Sequence, residues 1–172
     1  MSSTDAVALL RAWDLTHQND ATAGEWARIL TDFPLFAEVA RRRLRKLVRN
    51  ATFAEFRTGE TVVGSGDADD WLYIVLEGAA KTIGGPAPRS MTVGDYFGEL
   101  SLVGERSPYG MVVATLPLYV MRLPRRSVVR LARKHPAVTL TLLRDLAGRF
   151  PGAERSVAAR IIAVPECSGT GT

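Results

Sequence analysis

Apolar residues keep helical spacing toward both ends of the chain and break into short runs in the middle. Ala6, Leu9, Leu10 and Trp13 recur at helical intervals after a Ser/Thr/Asp start, and Trp26, Ile29 and Leu30 repeat the pattern in a second segment capped near Thr22. A third segment opens after Pro34 and sets Leu44, Leu47 and Val48 on one side with arginines on the other, the layout of an amphipathic helix. From about Ala51 the punctuation changes, with glycines at Gly59, Gly64, Gly66, Gly78, Gly84, Gly85, Gly94 and Gly98. Between them lie runs rich in β-formers: Val62 and Val63, Trp71 to Leu76, Ala80 to Ile83, Met111 to Ala114, and Leu118 to Met121. Short strands joined by turn residues predict an all-β sandwich or barrel, with Gly84-Gly85 as a hairpin turn. After Pro124 the helical period returns through Val128, Val129 and Leu131, pauses at His135-Pro136, and resumes through Val138, Leu142, Leu143, Leu146 and Phe150. Pro136 lets a helix start but not run through, so a hinge is expected there. Pro151-Gly152 ends or interrupts this helix, residues 153–163 read as one more helical stretch, and the tail after them as disordered.

Length and composition fit this layout. The 172 residues suit one domain with a trailing element, and 47% hydrophobic with 23% charged residues is an ordinary globular balance. The lone Cys167 excludes a disulfide framework and a cysteine zinc site, and two histidines, His17 and His135, disfavour a metalloenzyme. No apolar run approaches the roughly 20 residues that cross a bilayer, and the N-terminus lacks signal-peptide character, so the default expectation is a cytoplasmic protein. The net charge of +4 is unevenly spread. Residues 41–49 carry six basic groups and no acid, and residues 122–160 carry ten against Asp145 and Glu154. Residues 50–121 instead hold nine acids against Arg57, Lys81, Arg89 and Arg106. Solvated helix faces account for the basic runs, with acidic lipid, RNA or a partner protein as alternatives. No Ser/His/Asp set, paired acids or metal cluster is discernible, so the chain is not expected to be an enzyme or to carry a cofactor.

One constellation carries chemistry: Gly94-Asp95-Tyr96-Phe97-Gly98-Glu99-Leu100-Ser101-Leu102. A glycine and an acid after a strand predict a tight turn into a brief helix whose free N–H groups can receive an anion. Gly98 lets backbone approach a ligand, and the Glu99 carboxylate can accept hydrogen bonds from hydroxyls. Such a pairing suits a sugar phosphate. Trp71 and Tyr73 read as packing residues before base-stacking ones, and His135 as a helix-end residue before a catalytic base.

The stretch FRTGETVVGSGDADDWLYIVLEGAAKTI (56–83), followed by VGDYFGELSLV (93–103), resembles the cyclic nucleotide-binding domain of catabolite-activator regulators, protein kinase regulatory subunits and gated channels. The likeness runs from about Phe33 to Phe150 and includes the turn glycines Gly59, Gly66, Gly78 and Gly94. It implies a mainly β fold with flanking helices: a jelly-roll-like β-roll with N-terminal helices and a C-terminal hinge helix. The implied domains are an N-terminal helical extension (1–32), the binding domain (33–150), and a short C-terminal helix with its tail (151–172). It further implies a stand-alone regulatory module that takes cAMP or cGMP and relays binding through its C-terminal helices. Glu99 then receives the ribose 2′-hydroxyl, and the backbone at Gly98, Leu100 and Ser101 faces the cyclic phosphate. In the family an arginine pairs with that phosphate, a charge-assisted contact that decides affinity. Here its position falls on Pro108, within Gly104-Glu105-Arg106-Ser107-Pro108-Tyr109-Gly110, and Arg106 stands two residues earlier. The candidate ligand-binding set is therefore Gly98, Glu99, Leu100, Ser101, Arg106, Pro108, Tyr109 and Gly110. The alternative is a degenerate β-roll that lacks the arginine and serves as a protein-interaction scaffold. Partners in view are a cyclic nucleotide, an effector protein, and a second copy through the C-terminal helices. Only 36 residues follow Pro136, too few for a helix-turn-helix module, which disfavours sequence-specific DNA binding.

Overall fold

A computed structural model describes residues 20–64, 70–84, 88–99, 102 and 110–149. Its order is helix α1 (Asp20–Leu30), a 3-10 turn (Pro34–Phe36), α2 (Arg41–Val48), and strands β1 (Thr52–Phe56), β2 (Thr61–Val63), β3 (Trp71–Glu77), β4 (Ala79–Ile83), β5 (Ser90–Thr92), β6 (Tyr96–Phe97), β7 (Met111–Ala114) and β8 (Leu118–Pro124). Helices α3 (Arg125–Lys134) and α4 (Pro136–Arg149) complete it. The strands form two antiparallel sheets, β1-β8-β3-β6 and β2-β7-β4-β5. The expected β-roll with flanking helices is thus present.

The two middle strands of the first sheet, β3 and β8, are buried on both faces, and the alternation of their side chains shows why. Along β3, Leu72, Ile74 and Leu76 join a core shared with the helices, while Tyr73 and Val75 point into the interior between the sheets. On β8, Met121 and Leu123 face the helices, and Leu118 and Val120 face the interior. Two-sided burial is the reason these strands read as unbroken apolar runs. Helix α2 buries Leu44, Leu47 and Val48 as its pattern predicts, and α1 buries Trp26, Ile29 and Leu30.

Several expectations need correction. Thr22 does not cap the second helix; it lies inside α1 and is buried. The third helix does not begin after Pro34. There the chain makes successive i→i+3 turns, Phe36 N–H to Phe33 O at 2.9 Å and Val39 N–H to Phe36 O at 2.9 Å, and α2 starts at Arg41. A period near three brings Phe33, Phe36 and Val39 into the core together. Gly84-Gly85 falls in the connection between the antiparallel pair β4 and β5, with Gly84 at φ 76° and Gly85 outside the described residues. The connection is closed by Thr82, whose N–H donates to Arg89 O at 2.8 Å while its Oγ1 accepts from Arg89 N–H at 2.6 Å. The turn after Gly94 leads first into β6 and only then into helical residues. The first helical segment (Ala6 to Trp13), the turn glycine Gly66 and the stretch 153–163 lie outside the described residues.

The break between the two C-terminal helices falls at Pro136. His135 ends α3 in extended backbone (φ −134°, ψ 91°), and α4 begins at the proline. Thr139 Oγ1 donates to Ala132 O at 2.9 Å across the break, fixing the angle between the helices. The α4 stripe serves the intramolecular core: Val138, Leu142 and Leu146 are buried, and Leu143 packs against them.

Candidate functional site

The site begins in the turn that carries β5 into β6. Gly94 sits at φ 97°, a conformation glycine adopts without strain, and its N–H donates to Val75 O at 3.1 Å. Asp95 O accepts from Val75 N–H at 2.9 Å, so the turn is stitched to the most buried strand. The Asp95 carboxylate closes the turn on itself, Oδ2 accepting from Thr92 N–H at 2.8 Å. Its Oδ1 faces Arg89 Nη2 at 3.0 Å, and Arg89 Nη1 donates to Tyr96 O at 2.9 Å. Arg89 therefore clamps both the turn and the strand it launches.

Strand β6 is two residues long and pairs with β3, Phe97 with Tyr73 and Tyr96 with Ile74. Its side chains divide between the two cores. Phe97 enters the interior and stacks on Tyr73, ring centroids 4.7 Å apart and nearly parallel at 3°. Tyr96 faces the helices, where its hydroxyl hydrogen-bonds Asp145 Oδ2 on α4, 49 positions along the chain.

Gly98 follows at φ 85°, and a Cβ there would lie 2.5 Å from Trp71 O and 3.3 Å from Tyr73 Cδ2. Strand β3 thus demands glycine at this position irrespective of any ligand. Glu99 comes next, in 3-10 conformation and 6% exposed, an acid drawn inside at the end of the strand. Leu102, also 3-10, is buried in the helical core, and its carbonyl accepts from Arg125 Nε at 3.3 Å. The segment from Tyr96 to Leu102 is consequently tied to α4 through Asp145 and to the first residue of α3 through Arg125.

Of the predicted ligand residues, Gly98 and Glu99 stand together here. Gly110 leads into β7 of the second sheet at φ 92°, where a Cβ would be 2.2 Å from Ile83 O and 2.5 Å from Gly84 O. The end of β4 accounts for that glycine. Leu100, Ser101, Arg106, Pro108 and Tyr109 lie outside the described residues. Trp71 is half-buried, with the Arg122 guanidinium 5.3 Å from its ring centroid, as a packing residue should be. His135 is a helix-end residue: its N–H donates to Ala132 O at 3.2 Å, and its buried Nε2 has no partner among the described residues.

Sequence reasoning missed Arg89, Tyr96 and Asp145 as organising residues. The turn string contained Asp95, but nothing local announces that Arg89 closes on it, and the Tyr96–Asp145 contact has no spacing signal. Replacing Tyr96 with Phe removes one hydrogen bond to a charged group and is expected to lower stability by about 1.5 kcal/mol. A double-mutant cycle with Asp145→Asn in urea denaturation checks this, and additive losses would show that the pair does not interact. Among the described residues no His/Cys/Asp/Glu group is arranged to hold a metal ion, and no helix is long and apolar enough to cross a membrane.

Residues 53–135 match the family model described as the cyclic nucleotide-binding domain. A cGMP-dependent protein kinase of Toxoplasma gondii is 41% identical over 70 residues, covering 40% of this chain and 7% of the kinase. Among solved structures, the regulatory domain of Toxoplasma gondii PKA with cAMP aligns with TM-score 0.63 at 25% identity over 72% of this chain and 49% of that one. The regulatory subunit of a cAMP-independent protein kinase A from Trypanosoma cruzi, bound to guanosine, aligns with TM-score 0.63 at 26% identity over 73% of this chain and 46% of that one. The chain thus spans less than half the length of each of these three proteins.

Proposed function

We propose that this chain, whose residues 53–135 match the family model of the cyclic nucleotide-binding domain, binds cAMP or cGMP beside Glu99 and relays occupancy to α3 and α4. The buried Glu99 carboxylate carries this reading, since it follows Gly98 directly at the end of β6, where the family receives a ribose hydroxyl. A carboxylate held away from bulk water is a strong acceptor for hydroxyl donors. The relay rests on the two ties of this segment to the helices, Tyr96 to Asp145 and Arg125 to Leu102 O. A ligand shifts those helices only by the difference in its affinity for their two arrangements, so a ligand that stiffens the segment must alter the strength of these ties.

Pro108, standing where the family's phosphate-pairing arginine falls, favours a second reading in which the cyclic phosphate is no longer recognised. The guanosine-bound trypanosome subunit supports its milder form, a roll of this type holding an uncharged nucleoside. In its stronger form the roll is a protein-interaction scaffold.

Calorimetric titration of the full chain with cAMP, cGMP and guanosine separates these outcomes. Saturable heat with a cyclic nucleotide, weakened roughly 10- to 100-fold by Glu99→Gln, is the expected result. Heat with guanosine alone transfers the site to nucleosides. No heat with any of the three at millimolar concentration leaves the scaffold.

A further inference from the structure

The outward sides of α2 and α3 take no part in the site. Helix α2 exposes Arg41, Arg42, Arg43, Arg45 and Lys46, and α3 exposes Arg126, Arg130, Arg133 and Lys134. The two helices touch and bury their apolar sides in one core, so their charged sides adjoin. No acid occurs between Glu38 and Glu55 or between Glu105 and Asp145. The charges also stand against local helix stability. Arg42 and Lys46, and Arg126 and Arg130, are like-charged pairs four apart, and the first turn of α2 holds three arginines where the helix dipole disfavours cations. A face that merely needed solvation would mix both signs.

We propose that this face docks the protein on a bilayer surface bearing anionic headgroups. Helix α2 is packed against α1 on one side and α3 on the other, so it lies flush with its neighbours and does not project as a groove-reading helix must. The exposed residues of both helices include no aromatic for base stacking. Leu44, Leu47, Val48, Val128 and Leu131 all turn inward, so adhesion is electrostatic and reversible, without insertion. The acid-rich stretch 50–121, which holds most of the β-roll, is repelled by the same surface, and this orients the molecule with its helices down.

Sedimentation of the full chain with vesicles tests the assignment. Pelleting is expected with phosphatidylcholine vesicles containing phosphatidylglycerol, not with phosphatidylcholine alone, and raising salt should abolish it. The double variant Arg42→Gln/Arg130→Gln should lower the partition coefficient about thirtyfold. The matched variant Arg57→Gln/Lys81→Gln, which removes the same charge from exposed positions elsewhere, should leave it unchanged. Absence of pelleting with anionic vesicles at low salt overturns the proposal. So does equal loss in the two double variants, or stronger capture by duplex DNA than by vesicles at the same phosphate concentration.

Discussion

Gly98→Ala is expected to lower the unfolding free energy by about 3 kcal/mol and to abolish ligand heat in the same preparation. Two costs add. A left-handed backbone at φ 85° strains an alanine by about 1–2 kcal/mol. Its Cβ would also sit 2.5 Å from Trp71 O, and backbone cannot rotate out of the way as a side-chain tip can. Relief requires β6 to move off β3, with which it pairs at Tyr96 and Phe97 and to which the preceding turn is tied by the Gly94 and Asp95 bonds to Val75. The stacked Phe97–Tyr73 rings and the position of Glu99 shift with it. Urea denaturation gives the stability change; an unchanged midpoint would mean that β6 tolerates displacement and that its geometry is not set by β3.

The second large effect belongs to Trp26. Trp26→Ala should cost about 3–5 kcal/mol, the range for deleting a fully buried aromatic side chain. Trp26 has no exposed surface, and its ring meets Phe53 of β1 at 4.9 Å between centroids, tilted by 39°. Loss of the indole opens a cavity between α1 and the first sheet. Trp26→Phe should behave very differently. The indole Nε1 is buried without a hydrogen-bond partner among the described residues, so removing it relieves a desolvated donor while keeping an aromatic ring. Guanidinium denaturation should place Trp26→Phe within about 1 kcal/mol of the native sequence. A Phe variant as damaged as the Ala variant would indicate that the N–H does find a partner.

Much of the fold is legible in the pattern of apolar residues, for reasons visible in particular elements. Strands β3 and β8 bury both faces, so nearly every position is apolar and the run stands out. Helices α2 and α3 are strongly sided, and Pro136 marks the break between α3 and α4. By contrast β1, with the sequence Thr52-Phe53-Ala54-Glu55-Phe56, is an edge strand with no fully buried residue, and the chain there shows no run to notice. Strands β5 and β6 span three and two residues, too short for any periodicity. At the site, Gly98 and Glu99 are readable because glycine and acid in sequence have local meaning. The Tyr96–Asp145 bond joins residues 49 apart, and sequence spacing carries no trace of it, while the Arg89 clamp closes over only six or seven residues across a strand too short to show a period. Gly98 and Gly110 also show that a residue suspected of meeting a ligand can be required by a neighbouring carbonyl alone.

The first sheet is a partition with a core on either side, and that governs how a mechanical disturbance could travel. Strands β3 and β8 lie at its middle, each flanked by a strand on both sides and packed above and below, so neither can bend toward one core without opening a void in the other. A push from the interior is therefore not transmitted through the wall. The relay proposed above is thereby confined to the rim, where β6 forms one border of the sheet and presents Phe97 to one compartment and Tyr96 to the other. On that proposal, two adjacent side chains of opposite direction make a lever whose fulcrum is the sheet edge.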